Sequence, residues 1–113
     1  MTLQTNSQKM AQKAYETIRV RVPSPEFRSF ARAFPSLIHS CGLAQAVAFA
    51  KSKNRNEFLV DLTEVLRVAG YVQLSDLGKA TRESDVTTYL RLSRHALQAA
   101  SWLKRYVEAD EEA

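Results

Sequence analysis

Glycine and proline are scarce in this chain, three of each among 113 residues. An all-β sandwich or barrel needs a turn roughly every ten residues, and that punctuation is missing. The lone cysteine, Cys41, has no internal partner for a disulfide, so a reducing cytoplasm is the expected compartment. No run approaches the roughly 18 consecutive apolar residues of a membrane span. The opening residues, MTLQTNSQKMAQKAYE, lack the basic start and apolar run of a signal peptide. Internal repeats are missing too, and the only biased tract is a short acidic tail, EADEEA.

Catalytic constellations are equally sparse. His39 and His95 have no His or Glu partner three or four residues on, and three isolated glycines cannot build a phosphate-cradling loop. His39 and Cys41 stand two apart, and on a helix such residues point in different directions, so they cannot share a metal ion. Cys41 is expected to be a small buried residue. No catalytic, metal or cofactor site is therefore expected, and the chain reads as a non-enzyme.

What is present is a normal share of apolar residues, 45%, enough to build a core in one domain spanning 1–113. Net charge is +4 and the pI near 9.5. Ten of the sixteen basic residues are arginine, whose planar fork matches phosphate geometry.

The apolar spacing is helical throughout, which predicts an all-α bundle of five to six helices. Thr5 and Gln8 have capping-box spacing ahead of Met10, Ala14, Ile18 and Val22, giving a first helix over 6–21. Val22-Pro23 stops it, Ser24 caps the next helix, and Pro25 and Glu26 suit its first turn. That second helix carries Phe27, Phe30, Ala31 and Phe34 and is expected to end or kink at Pro35. From 36 to 53 a third segment is apolar on almost every side, which predicts a central helix enclosed by the others. Asn54 and Glu57 again have near-capping-box spacing. The helix that follows buries Phe58, Leu62, Val65, Leu66 and Ala69, with Gly70 closing it. Its acidic ridge, Glu57, Asp61 and Glu64, is expected to face water. The stretch YVQLSDLGKATRES is irregular, with at most one helical turn. The last helix, over 84–109, points Val86, Tyr89, Ser93, Ala96, Ala100, Leu103 and Val107 inward. Residues 1–5 and 110–113 are expected to fray.

On that last helix Arg91, Arg94, Gln98, Ser101 and Arg105 fall on one side, bordered by His95 and Trp102, with no acidic residue between them. Guanidinium groups beside an aromatic plane suit a phosphate backbone and an unpaired base. Lys51, Lys53 and Arg55 on the connection after the third helix could extend such a surface, as could the pairs Lys9–Lys13 and Arg28–Arg32. Two other readings stand beside this one. The arginine face could meet an acidic protein in a helical adaptor, or the fourth helix and the next turn could form a helix-turn-helix, although YVQLSDLGKA lacks a well-formed recognition helix.

The words along the chain carry a resemblance. Phe34-Pro35-Ser36-Leu37-Ile38, then Cys41-Gly42-Leu43-Ala44-Gln45 and Ala48-Phe49-Ala50, resemble the central helix of the small subunit of the type III-B CRISPR effector, the Cmr complex. Tyr89-Leu90, Ala96-Leu97 and Trp102-Leu103-Lys104-Arg105-Tyr106 are similar to that family's terminal helix, so the likeness spans about residues 10–109. It implies a helical, non-catalytic scaffold subunit for antiviral defence. Copies of such a subunit repeat in a filament beside the other Cmr subunits and line the channel that holds guide RNA and target RNA. The resemblance carries phosphate binding most directly onto Lys104 and Arg105.

Overall fold

The computed structural model describes the backbone of residues 3–112 and the side chains of residues 3–110. It is all helical, with six helices and no strand among the described residues: α1 (Asn6–Arg21), α2 (Pro25–Cys41), α3 (Leu43–Ser52), α4 (Asn56–Val68), α5 (Leu77–Glu83) and α6 (Val86–Glu112). Its extents, 42 × 41 × 22 Å, make a slab about two helix diameters thick.

Local signals place most of the helix ends. The capping box at α1 forms as its spacing predicts: the Gln8 N–H donates to Thr5 Oγ1 at 3.1 Å, and the Thr5 N–H to Gln8 Oε1 at 2.8 Å. Ser24 Oγ accepts from the Phe27 N–H at 3.1 Å at the start of α2. Between them, Val22 closes α1 in the left-handed region at φ 49°, because Pro23 bars it from continuing the helix.

The break expected at Pro35 lies instead at Gly42. Helix α2 continues through Pro35 and carries Phe27, Ala31, Phe34 and Ile38 as one buried stripe at spacings of 4, 3 and 4. The proline costs the helix a hydrogen bond, but an apolar face continuous across it outweighs that local loss. Gly42, at φ 85° and ψ 160°, then turns the chain in a conformation nearly reserved for glycine.

The segment over 36–53 is therefore split, and its second half is not enclosed. Helix α3 packs on α2, α5 and α4, burying Leu43, Ala46, Val47 and Ala50. Cys41 and Ala48, both expected inside, are exposed, and Phe49 is 43% exposed. The hub of the bundle is α6, which packs along α2, α1 and α4. Its small residues Ala96, Ala99 and Ala100 bring those helices close, while Leu92, Leu103 and Val107 fill the gaps between them. Of the residues expected inward on α6, Val86 is exposed, and Tyr89 and Ser93 are half-buried. Phe27, Phe34 and Phe58 complete the core, with the last two rings 4.8 Å apart between centroids.

Other expectations are corrected as well. Asn54 does not cap α4; it sits in the left-handed region at φ 59°, and Arg55 occupies the cap position without a side-chain bond. The irregular stretch after Gly70 contains all of α5, two turns begun by Asp76, whose Oδ1 accepts from the Lys79 N–H at 3.0 Å. Asp61 does not face water. It is 4% exposed and takes a two-pronged contact from Arg21, Nη2 to Oδ1 at 2.6 Å and Nε to Oδ2 at 2.9 Å. At the far end, Arg28 pairs with Asp110 at 2.7 Å and α6 stays helical to Glu112, further than expected. Of the ends expected to fray, residues 1, 2 and 113 lie outside the described residues.

Candidate nucleic-acid interface

Helix α6 shows solvent a single long face because its other sides are occupied by α1, α2 and α4. Arg91, Arg94, Gln98, Ser101 and Arg105 are all exposed on that face. Arg91, Arg94 and Arg105 make no ion pair or hydrogen bond among the described residues, unlike Arg21 and Arg28. Asp85, at the helix start, feels the charge of Arg91, but it already accepts the Thr88 N–H at 2.8 Å. Three guanidinium groups on one helix face with no acid among them form a cationic strip.

Trp102 and Lys104 border this strip, both half-buried. The Trp102 ring stacks on Tyr106, with centroids 5.9 Å apart and planes 17° apart. Tyr106 in turn meets the edge of Tyr15 on α1 at 5.6 Å, and the Arg19 guanidinium lies 5.5 Å over the Tyr15 ring. An aromatic ledge thus runs from α6 onto α1 beside Arg105. Sequence reasoning missed Tyr15, Arg19 and Tyr106; their signal was i, i+4 spacing within each helix, but only folding joins the two pairs.

His95 and Tyr71 sit at the other end of the strip. The Tyr71 hydroxyl, on the connection after α4, is 2.5 Å from His95 Nδ1, and the rings meet edge-on at 5.4 Å. Burial lowers the His95 pKa, and the positive charges of Arg94 and Arg91 push it the same way. Burial raises that of Tyr71, outweighing the same two arginines. Tyr71 was not singled out in the sequence, since nothing there placed it against α6.

Lys51, Lys53 and Arg55 stand apart. Lys51 Nζ is 3.6 Å from Asp76 Oδ1 and lies over Gly78, where a Cβ would meet it at 2.6 Å. Lys53 Nζ rests 5.6 Å over the Phe49 ring. Arg55 is half-buried in a recess it shares with Glu26 and Glu57. Helix α4, about 20 Å long, separates it from Tyr71. Of the residues singled out from sequence, the structure unites Arg91, Arg94, Trp102, Lys104 and Arg105 on one helix, while these three lie at the end of α3 and the start of α4.

Among the described residues no cluster of three His, Cys, Asp or Glu side chains is arranged to hold a metal ion, and no helix is long and apolar enough to cross a membrane. Fold and surface together define a small helical-bundle protein with a cationic helix face. The chain belongs to the Cas_Cmr5 family of CRISPR-associated proteins, whose family model matches residues 6–110. It is 38% identical over 110 residues to the CRISPR system Cmr subunit Cmr5 of Thermus thermophilus, covering 95% of this chain and 96% of that one. A crystal structure of a CRISPR-associated Cmr5 family protein from Thermus thermophilus superposes with a TM-score of 0.81 at 38% identity, covering 95% of this chain and 97% of that one.

Proposed function

We propose that this chain is a non-catalytic scaffold subunit of a type III-B Cmr effector complex in the cytoplasm, where it lines the channel for guide and target RNA. One observation carries the reading: Arg91, Arg94 and Arg105 share an exposed face of α6 and have no acidic partner among the described residues. Burying three unpaired guanidinium groups against another protein would require matching carboxylates, whereas a phosphate backbone supplies anions at regular spacing. Contacts of this kind neutralise charge and position a strand without reading its sequence. Family membership supports other Cmr subunits as partners; copies of this chain side by side in a filament are the further partners of this reading.

The test is purification of the tagged chain from its host with identification of bound subunits and RNA. It is repeated with Arg91, Arg94 and Arg105 all changed to Glu. The expected result is a Cmr complex bearing RNA for the unaltered chain and loss of RNA crosslinks to α6 in the variant, with helicity retained. Each phosphate contact removed should also reduce the slope of log affinity against log salt by very roughly 0.7–0.9. A folded variant that keeps its RNA crosslinks and its salt dependence overturns the assignment to α6. A stable assembly in which the strip meets an acidic protein and no RNA favours the adaptor reading.

A further inference from the structure

Arg91, Arg94 and His95 stand at i, i+3 and i+4 on α6, so their side chains leave one face within about 6 Å of helix axis. Tyr71 reaches the same place from the connection after α4 and makes the short contact to His95 Nδ1. A phenol has a proton to give at neutral pH, and its burial here holds that proton more firmly. In the arrangement that uses this proton, the hydroxyl donates and Nδ1 accepts. A neutral imidazole carries one N–H, so with Nδ1 accepting, the proton lies on Nε2. No described residue bonds to Nε2, and the one buried side-chain polar atom without a partner among the described residues is Ser93 Oγ. His95 Nε2 is therefore open to solvent, beside two guanidinium groups.

We propose that His95 is a neutral hydrogen-bond donor to a phosphodiester oxygen of an RNA strand lying along α6, with Tyr71 the positioning residue that holds the ring in its Nε2–H tautomer. A ligand atom that meets two guanidinium groups and an N–H, with no acceptor facing it, must be an acceptor itself, and an anionic oxygen fits best. The arginines attract the strand through charge; the uncharged His95 adds direction, since its single N–H has one line of approach. This rests on the RNA-binding reading above.

The experiment uses the full chain and a fluorescently labelled single-stranded oligouridylate at low salt, comparing the unaltered protein with His95→Phe, Tyr71→Phe and the double variant Arg91→Gln, Arg94→Gln. Circular dichroism and thermal melts check that each is folded. His95→Phe keeps the ring and removes its donor, and is expected to weaken binding about tenfold. Because the lost group is uncharged, the slope of log affinity against log salt should stay as in the unaltered chain. The double arginine variant should weaken binding and reduce that slope by about 1.4. Nitrogen-15 spectra of the histidine rings should show His95 in the Nε2–H form in the unaltered protein and a tautomer mixture in Tyr71→Phe, with the Nε2 signal moving on RNA addition. Unchanged affinity in His95→Phe alongside a loss in the arginine variant overturns the proposal and spares the RNA-binding reading. A reduced slope in His95→Phe means the ring is charged when bound, which also overturns it. Failure of the unaltered chain to bind, or of the arginine variant to weaken binding, overturns the reading on which it rests.

Discussion

At the scale of single residues, two side chains show how burial redirects chemistry. Asp61 sits at an exposed position of the acidic ridge when α4 is considered alone, yet Arg21 at the end of α1 folds over it and satisfies both oxygens. The Arg21 side chain retains 28% exposure, so its charge reaches water while that of Asp61 does not. Asp61→Ala removes two charge-assisted bonds without stranding a fully buried arginine, and should cost about 1–3 kcal/mol in urea unfolding. His95 gives a pH dependence. Burial and two neighbouring arginines hold its pKa below the ordinary 6.5, so the unfolded chain takes up a proton before the folded one does. Its contribution is fully present above pH 6.5 and is lost as the pH falls from there through the lower folded value. The melting temperature of the unaltered protein should therefore drop on acidification below about pH 6.5 more steeply than that of His95→Phe.

At the scale of elements, the decisive position is the junction of α2 and α3. Gly42 adopts φ 85° with ψ 160°, and an added Cβ would meet nothing closer than Tyr89 Oη at 3.6 Å. The objection to a side chain there is backbone strain rather than collision. Gly42→Ala should cost about 1–3 kcal/mol, measured by denaturant unfolding. The same Tyr89 hydroxyl accepts the Ala44 N–H at 3.1 Å, serving the first turn of α3 where Gly42 has no side chain to offer. Ala48 makes the contrasting case. Periodicity alone places it in an enclosed helix, where a lysine would be ruinous; in the fold it is exposed. Ala48→Lys should change stability by no more than about 0.5 kcal/mol, and a melting temperature far below the parent's would contradict the packing of α3 described here.

At the scale of the whole molecule, one helix organises the rest. Helix α6 buries alanines against three neighbours on one side and presents arginines on the other, so core and candidate interface are two faces of one rod. The alanines at 96, 99 and 100 are fully buried, leaving no space for larger groups. Ala100→Leu should push the neighbouring helices apart and cost about 1–3 kcal/mol, read as a lower denaturation midpoint. Charge is distributed on the same plan. Arg91, Arg94 and Arg105 have no carboxylate partner among the described residues, while Arg21 and Arg28 direct their charge to α4 and the end of α6.

Much of this was legible in the chain itself, wherever the controlling forces act within a few residues. Capping oxygens three positions from the N–H they serve, as at Thr5 and Ser24, are set by local geometry and lie where the spacing predicts. So do the 3.6-residue stripe of α4, the absence of strands among the described residues, and the exposure of Arg91, Arg94 and Arg105. The family likeness was legible for the same reason, since its words are contiguous. Tertiary structure decided what depends on distant partners. Pro35 stays inside a helix because Phe27, Ala31, Phe34 and Ile38 gain more from a continuous buried face than the proline forfeits. Asp61 is buried because Arg21, forty residues away, covers it. Tyr71 holds His95 because the end of α4 is packed against α6. A sequence sets the neighbours along the helix; which stripe faces solvent depends on burial summed over all the helices at once, and periodicity alone cannot rank two apolar arcs on the same segment.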